Sequence, residues 1–307
     1  MSFEGDCDMD LGFALTDGAV HVFEEAAKEF SISEFSERAY IRGLPGRIRR
    51  GDLGVYTLSL CSRVIGAICY RPIDGDAELV FGSLLPGYEY EKYFLRRVAD
   101  DLFSSGVHTI RSGLAWPRAA GFTKAASSMG FTMTERIGMA RYASGAEPSV
   151  GPCRGFELLP WRDEYAEGAC LLMSEHSAPS DKDVYPVLAT REGALSLIRS
   201  VMMDKHGKFL RELSLVAKAD GKTVGFLIST LLLDGSVLVL DIAVDREYRR
   251  RGIGSAMMRW LVSECAIKNK DQIVLAVTEQ NRDAIRLYEH LGFKKNMAFR
   301  QYVLSLY

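Results

Sequence analysis

The sequence predicts an α/β protein with a mixed, mostly antiparallel sheet in each of two tandem copies of one fold. Three observations support this prediction. An apolar strand, a glycine-rich turn and an amphipathic helix follow one another between 237 and 268. A short apolar strand and a capped helix follow between 273 and 293. At 307 residues the chain is also too long for one hydrophobic core, which favours two domains.

The two halves repeat similar segments at a nearly constant offset of about 160 residues. A Gly inside a strand, an Asp-Gly turn and a Gly-Phe helix end each occur twice, which indicates a duplication. The matching pairs are Gly66 and Gly225, Asp74 and Asp234, and Gly130 and Gly292. Residues 143–155 are rich in Gly, Pro and Ser and are typical of a linker. We therefore predict domains at 1–146 and 147–307.

Composition narrows the class of protein. A net charge of −2 argues against nucleic acid or an anionic membrane surface as the main partner. No apolar run approaches the length that spans a bilayer, and the acidic segment 1–12 is unlike a signal peptide. The six cysteines show neither metal nor disulfide spacing, and four of them lie in apolar contexts typical of a core: Cys61, Cys69, Cys170 and Cys265. These features predict a cytoplasmic protein without a metal site.

In the second half, the spacing of apolar residues predicts four helices and four strands. The predicted helices are 161–174, 190–204, the helix that ends near 268, and the one that begins at 281. The predicted strands are 213–218, 222–233, 237–244 and 273–277. Helices on both faces of the sheet are expected, since the last strand is short and apolar.

The turn after the strand Val237–Val244 predicts an anion site. Its residues are Arg249, Arg250, Arg251, Gly252, Ile253 and Gly254. The first N–H groups of a helix lack intrahelical partners and can bond phosphate oxygens. The two glycines remove Cβ atoms that would keep a diphosphate away, and the arginines add charge-assisted contacts. The dinucleotide fingerprint and the G-x-x-x-x-G-K-[ST] loop are both absent, so another pyrophosphate-bearing cofactor is predicted.

The helix after the strand 273–277 has clear ends. Asn281 is a good N-cap, and Gly292 terminates the helix. An apolar stripe at helical spacing lies between them, formed by Ala284, Leu287, Tyr288 and Leu291.

The two blocks together resemble the conserved segments of the GCN5-related N-acetyltransferases (GNAT). Arg249, Gly252 and Gly254 match the acyl-CoA pyrophosphate signature Q/R-x-x-G-x-G/A. Residues 281–293 match N-x-x-A-x-x-L-Y-x-x-x-G-F. The resemblance covers about 155–307. It implies acetyl-CoA as cofactor, two tandem acyl-CoA N-acyltransferase-like domains, and a sheet that splays between its fourth and fifth strands to admit the pantetheine arm.

The resemblance also implies roles for individual residues. The backbone of Ile242, Ala243 and Val244 is expected to pair with pantetheine, one N–H polarising the acetyl carbonyl. Tyr288 is expected to protonate the leaving CoA thiolate, and packing between helix and sheet is the alternative. Asn281 is expected to bond the pantetheine arm or nearby backbone, and a plain N-cap is a compatible alternative.

The general base is less clearly indicated. Relatives that acetylate protein N-termini often carry Glu five residues before the motif Asn, where this chain has Ala276. Asp241 is the best remaining candidate, because a carboxylate in an apolar strand is costly unless it faces a polar cleft. A structural Asp is the alternative. Glu279 is a second choice, and Glu175 and His176 are expected near the substrate entrance, with a solvated His as the alternative.

The first copy lacks these motifs. Its loop 85–93 has no G-x-G and carries Glu89 and Glu91, which repel phosphate. Residues 116–118, Trp-Pro-Arg, stand where the motif Asn belongs. This half is predicted to be a degenerate domain that shapes the substrate cleft or supports the active copy. The basic cluster Arg47, Arg49 and Arg50 is interpreted as a solvated loop.

These features predict a monomeric or homodimeric enzyme that transfers the acetyl group of acetyl-CoA directly to a primary amine. The acceptor, a small molecule or a peptide, is not encoded in a readable way. Two other functions stay open, an acyl-CoA sensor without enzymatic activity and an interaction module. Retention of the pyrophosphate loop and Tyr288 argues against the second of these.

Overall fold

The structure, a computed structural model, describes residues 8–29, 35–73, 75–112, 120–143, 155–177, 181–182, 185–232 and 234–306. The chain divides into two compact units. Unit 1 comprises Met1–Met133 and Arg300–Tyr307, and unit 2 comprises Thr134–Phe299.

Unit 1 contains, in chain order, a short strand, two helices, three antiparallel strands and a helix–strand–helix segment. Its described helices are α1 (Asp17–Lys28), α2 (Phe35–Arg49), α3 (Glu91–Ser104) and α4 (Ala120–Ser128). Its strands are β1 (Met9–Gly12), β2 (Gly54–Leu60), β3 (Arg63–Ile73), β4 (Asp76–Leu84) and β5 (Thr109–Ser112). Helix α1 begins where the sequence offers a cap, because the hydroxyl of Thr16 accepts a hydrogen bond from the amide of Ala19.

The strands β1 to β4 pair antiparallel in chain order, and β4 pairs in parallel with β5. The end of the last strand, at 303–305, pairs antiparallel with β5. The sheet of unit 1 is therefore mixed, with one parallel pair.

Unit 2 follows the same plan. Its described helices are α5 (Ala166–His176), α6 (Arg191–Met202), α7 (Ile253–Ile267) and α8 (Arg282–His290). Its strands are β6 (Thr132–Tyr142), β7 (Glu157–Pro160), β8 (Lys208–Phe209), β9 (Leu215–Ala219), β10 (Lys222–Leu231), β11 (Val237–Val244) and β12 (Gln272–Thr278). The final strand is β13 (Lys294–Ser305), which begins in unit 2 and ends in unit 1.

The sheet of unit 2 has the order β6-β12-β11-β10-β9-β7, and β8 also pairs with β10. Only β11 and β12 are parallel among these described pairs, and the others are antiparallel. Alternate residues of β9 and β10 enter two separate cores, one with α7 and α8 and one with α5 and α6. Helices therefore cover both faces of this sheet, as predicted.

The two units share an irregularity in their fourth strands. Val80 is the extra residue between the pairs Cys69–Phe81 and Tyr70–Leu79 of β3 and β4. Leu240 is the extra residue between the pairs Ile228–Asp241 and Ser229–Val239 of β10 and β11. These β-bulges lie 160 residues apart, and the same order of hairpins, helix and parallel strand surrounds each. The predicted mixed α/β fold in two copies is confirmed.

The boundary between the compact units falls at 133/134, earlier than the predicted 146/147. The reason is hydrogen bonding, because β6 pairs with β12 from Arg136 opposite Thr278 to Tyr142 opposite Gln272. The linker residues 144–154, the segment 116–118 and Asp74 lie outside the described residues.

Two interpretations of local sequence are wrong. Arg47 and Arg49 end helix α2 and do not form a loop, because an amphipathic helix extends through Pro45. Cys61 is exposed, since it lies in the tight turn between β2 and β3 with a φ of 50°, whereas Cys69, Cys170 and Cys265 are buried as predicted. Among the described helices none combines the length and the apolar composition needed to cross a membrane.

Candidate functional site

The parallel strands β11 and β12 separate at one end. Their pairing covers Val237–Val239 opposite Ile273–Leu275 and stops there. Strand β11 nevertheless continues to Val244 and β12 to Thr278. The bulge at Leu240 lies at the point of separation. The predicted splay between the fourth and fifth strands of this unit is therefore present.

The edge of β11 that faces this opening is defined by the hydrogen bonds to β10. The amide of Asp245 donates to the carbonyl of Val224 on β10 at 2.9 Å. Because successive amides of a strand point to opposite edges, the amide of Ala243 also points to β10. The amides of Ile242 and Val244 consequently point to the opening.

Asp241 lies at the same place. Its Oδ1 accepts a hydrogen bond from the amide of Ile242 at 2.8 Å. Its Oδ2 is buried and has no hydrogen-bond partner among the described residues. Burial raises the pKa of Asp241 to about 7, and the nearby charge of Asp181 adds to this effect. A carboxyl with this pKa can exchange a proton near neutral pH.

A hydrogen-bonded cluster lies on the β12 side of the opening. Oδ1 of Asp181 accepts hydrogen bonds from the Thr278 hydroxyl at 2.8 Å and from Nη1 of Arg136 at 3.4 Å. Arg136 also donates to the Thr278 hydroxyl at 3.2 Å and to the carbonyl of Ala276 at 3.2 Å. Its guanidinium stacks 5.8 Å from the ring centre of Tyr185. The buried Arg136 thus fixes Asp181 against the end of β12.

Tyr288 faces the same region from helix α8. It is buried, and its ring packs 6.0 Å from that of Phe293. Burial raises its pKa above the ordinary value, and the charges of Asp241 and Asp181 add to the shift. The phenol is therefore neutral at physiological pH and can donate a proton.

The turn before helix α7 has the shape of an anion site. Asp245 caps the 3-10 helix Arg246–Tyr248 through its bond to the Glu247 amide. Gly252 is the N-cap of α7 with a φ of 82°, a conformation that favours glycine, and it makes no side-chain cap. The first amides of α7 therefore have no intrahelical acceptor. A Cβ on Gly254 would meet Leu287 at 3.5 Å, an ordinary van der Waals contact, so the start of α7 packs next to α8.

The three arginines of the turn make different contacts. Arg249 ties the turn to its surroundings, since it donates to the carbonyls of Val244 and His176, each at 3.0 Å. Arg251 is exposed, stacks 4.6 Å from the ring centre of Tyr248 and donates to the Glu247 carbonyl at 3.1 Å. Arg250 is exposed, with a φ of 65°. Arg250 and Arg251 are thus exposed cations just before the start of α7.

Asn281 acts as the N-cap of α8. Its side-chain oxygen accepts a hydrogen bond from the Ala284 amide at 3.3 Å, and its amide donates to the Thr278 carbonyl at 2.9 Å. The backbone of Asn281 is thereby held next to the end of β12.

Comparison with known proteins agrees with this geometry. Residues 188–293 match the model of the acetyltransferase (GNAT) family. The chain contains a GNAT domain. It is 36% identical over 92 residues to the [Ribosomal protein bS18]-alanine N-acetyltransferase of Escherichia coli K12, a match that spans 30% of this chain and 62% of that protein.

Two solved structures resemble nearly the whole chain. A GCN5-related N-acetyltransferase from Sphaerobacter thermophilus is 15% identical with a TM-score of 0.62, covering 97% of this chain and 95% of that one. A tandem GNAT protein from the clavulanic acid biosynthesis pathway is 15% identical with a TM-score of 0.53, covering 97% and 98%. At these identities the likeness concerns the fold, and it includes a tandem arrangement.

The remaining candidates of the GNAT domain lie close to the turn. His176 is mostly buried, contrary to the alternative of a solvated loop His, and its Nε2 lies 3.7 Å from a carboxylate oxygen of Asp245. Glu175 is 3.8 Å from the same nitrogen. The amide of Glu279 donates to the Glu135 carbonyl at 2.9 Å, which places it at the end of β12.

Sequence reasoning missed Arg136, Asp181 and Thr278. The predicted boundary puts Arg136 in the other domain, although a buried Arg in the apolar strand β6 is itself a signal of a partner carboxylate. Asp181 stands in a polar segment without a pattern, and its contacts follow only from the tertiary structure. The described residues contain no group of His, Cys, Asp or Glu suited to holding a metal ion.

Proposed function

We propose that the chain is an acetyl-CoA-dependent N-acetyltransferase acting on a primary amine of a small molecule or a peptide. The observation that supports this most is the coincidence of three features in the GNAT domain. These are the unpaired edge of β11, the uncapped start of α7 and a carboxyl group, that of Asp241, with a pKa near neutrality. The match spans 62% of the Escherichia coli relative. The proposed activity therefore depends on this geometry as well as on the sequence similarity.

The residues fit the acyl donor. The pyrophosphate of CoA would be held by the first amides of α7, next to Gly252 and Gly254, with Arg250 and Arg251 at its sides. A residue with a Cβ at position 252 would be strained, because the φ there is 82°. Acetyl-CoA supplies the activated acetyl thioester. The amide of Val244 is directed to where the pantetheine arm of a GNAT donor would lie, and Asn281 can add its side-chain amide. The amide of Ile242 points to the same opening, where it donates to Oδ1 of Asp241.

The acceptor amine is activated by Asp241 in this proposal. An ammonium has no lone pair, so a base must remove its proton before attack on the acetyl carbonyl. Oδ2 of Asp241 is a buried acceptor without a partner among the described residues, so it is available for that proton. The pKa of about 7 makes this carboxyl a far stronger base than an exposed Asp.

Tyr288 is the proposed proton donor in the last step of the reaction. It keeps its phenolic proton at physiological pH, and it reaches the opening from helix α8. We assign to it the transfer of a proton to the CoA thiolate as that thiolate leaves. The acetyl group passes directly to the amine, and no cysteine among the buried Cys69, Cys170 and Cys265 takes part.

Unit 1 is proposed to lack a cofactor site. Phe122 on α4 is fully buried, and its ring atom Cζ lies 3.7 Å from where a Cβ of Gly82 would be. Gly82 is the second residue after the bulge of β4, as Ile242 is in β11. A carboxylate oxygen of Glu91, the first residue of α3, occupies the position a Cβ of Gly121 would take. Unit 1 thus has an aromatic ring and a carboxylate in the region where unit 2 has the opening between β11 and β12 and the arginines before α7.

The acceptor class stays broad. The Escherichia coli relative is named for acetylating the alanine of a ribosomal protein, so a peptide N-terminus is one candidate. Small primary amines are the other, since Ala276 replaces the Glu that protein N-terminal acetylation favours. A cytoplasmic location and a monomeric or homodimeric state stay predictions from composition.

Release of free thiol from acetyl-CoA in the presence of a broad panel of primary amines and short peptides tests the proposal. We expect amine-dependent release by the wild type for at least one class, with the acetylated amine identified by mass spectrometry. CoA binding together with thiol release that never exceeds hydrolysis would favour the acyl-CoA sensor instead.

A further inference from the structure

Asp181 lies across the opening from Asp241. Val239 lies opposite Leu275. If this pairing is extended by three residues along both strands, Ile242 lies opposite Thr278. Thr278 is the last residue of β12 and hydrogen-bonds Asp181, whereas Asp241 precedes Ile242 on β11. The two carboxylates therefore face the gap from opposite strands.

Among the described residues, the hydrogen bonds of each carboxylate are made by one of its two oxygens. Oδ1 of Asp181 accepts from Thr278 and Arg136, and Oδ1 of Asp241 accepts from the Ile242 amide. The described hydrogen bonds of both side chains end on these Oδ1 atoms. Oδ2 of Asp241 is buried and has no partner among the described residues, so it can accept a hydrogen bond from a bound molecule.

The charges around the gap do not balance. Asp241 and Asp181 carry two negative charges when ionised, and Arg136 is the cation that acts on Asp241. Tyr288 is neutral. A bound cation restores the balance, and an ammonium also supplies the missing hydrogen-bond donors.

We infer that Asp181, held by Arg136 and Thr278, forms with Asp241 the subsite for the acceptor amine. The subsite selects acceptors that carry an ammonium and have no carboxylate next to it. This inference rests on the proposed function and adds the substrate class. Asp241 takes the proton from the ammonium, and Asp181 is a specificity-determining residue.

The selectivity follows from Coulomb's law. An acceptor with an α-carboxylate would bring a further negative charge to a gap in which Arg136 offsets only one of the two carboxylates. A peptide N-terminus, an amino acid amide or an alkylamine brings only its ammonium. The effect of one charge several ångströms away at a partly buried site is about tenfold in affinity.

The matched acceptors glycine and glycinamide test this inference, because glycinamide carries a neutral amide in place of the free carboxylate of glycine. We expect the wild type to have the higher kcat/KM for glycinamide. Asp181→Asn keeps an oxygen that can accept from Thr278 and Arg136 but removes the charge. It should reduce the preference for glycinamide by about tenfold. Asp163→Asn, which breaks an exposed ion pair with Arg211, is the control and should leave the preference unchanged.

A folded Asp181→Asn variant with the wild-type preference would overturn the inference, and so would a wild type that prefers glycine. The change in the glycinamide-to-glycine ratio between the wild type and Asp181→Asn is the decisive quantity, because the difference between the amine pKa values of the two acceptors is the same for both enzymes and cancels.

A second measurement does not need turnover. Carboxyl-carbon NMR of the resting protein follows the titration of Asp241 in the wild type and in Asp181→Asn. Removing the facing charge should lower the pKa of Asp241, and an unchanged titration would contradict the shared subsite. If the wild type acetylates no amine or peptide of the broad panel while the titration shifts, the proposed function fails, and the electrostatic coupling of the two carboxylates is still supported.

Discussion

The carboxylate of Asp241 accepts a hydrogen bond from the amide of Ile242, 2.8 Å away. That amide points to the opening between β11 and β12, where the acetyl carbonyl of the donor is expected. The carboxylate thus stands beside the donor position with its second oxygen buried and unbonded within the described structure. Replacing Asp241 is therefore the most direct test of which residue acts as the general base.

Asp241→Asn should lower kcat/KM for the acceptor by about 10²- to 10³-fold, because the amide cannot accept the ammonium proton. In the wild type kcat/KM should rise with pH through a midpoint near 7, the pKa of the carboxyl, since only the ionised form is a base. The measurement is the pH profile of thiol release with a saturating donor. A profile for the variant that keeps both the wild-type midpoint and rate would rule out Asp241 as the base.

The same substitution should change stability in a pH-dependent way. The folded protein holds the pKa of Asp241 above its ordinary value, so the protonated form stabilises the fold and the charged form costs free energy. Stability from this group is fully present below pH 4 and is lost as the pH rises through 7. Asp241→Asn should therefore be more stable than the wild type at pH 8, by on the order of 2 kcal/mol, and equal to it at pH 4. Chemical denaturation at both pH values measures this, and an equal effect at both would contradict it.

Tyr288→Phe should lower kcat by about 100-fold and leave the affinity for CoA within about twofold, because the substitution removes the proton donor and keeps the packing against Phe293. Tyr165→Phe is a matched control, since Tyr165 is also buried in unit 2 but packs in the other core, with α5 and α6. Steady-state kinetics and CoA titration separate the two effects. Full activity of the Tyr288→Phe variant would show that Tyr288 serves packing alone.

Unit 1 should bind no CoA. Calorimetry with the wild type should give one CoA per chain, because Phe122 and Glu91 occupy the equivalent region. Phe122→Ala should destabilise the protein by about 3–5 kcal/mol, since it removes a fully buried ring from the core. A stoichiometry of two would contradict the assignment of unit 1 as degenerate.

The local patterns of the sequence predicted the elements that build the donor site. The strand 237–244 was predicted with the bounds observed, and Asn281 caps its helix as predicted. These predictions succeed because caps, glycine turns and apolar periodicity act within a few residues. Helix α5 begins later than predicted, since a 3-10 helix at Asp163–Tyr165 precedes it.

The acceptor side of the site could not be predicted in this way. Arg136, Asp181 and Thr278 are separated by up to 142 residues and meet only because β6 pairs with β12. The direction of the Ile242 amide depends on the bulge at Leu240, which no local pattern shows. Such features follow from register, and register follows from the assembled sheet.

Calorimetric titration of CoA tests the central claim, that the start of α7 binds the donor pyrophosphate. Arg251→Glu with Gly252→Glu should weaken binding by about 100-fold, because it adds negative charge and a strained backbone where the amides are free. The matched control is Arg50→Glu with Gly51→Glu, another Arg-Gly pair whose glycine has a φ of 79°. The account predicts wild-type affinity for this control. Equal affinities of the wild type and the variant changed at Arg251 and Gly252 would contradict it.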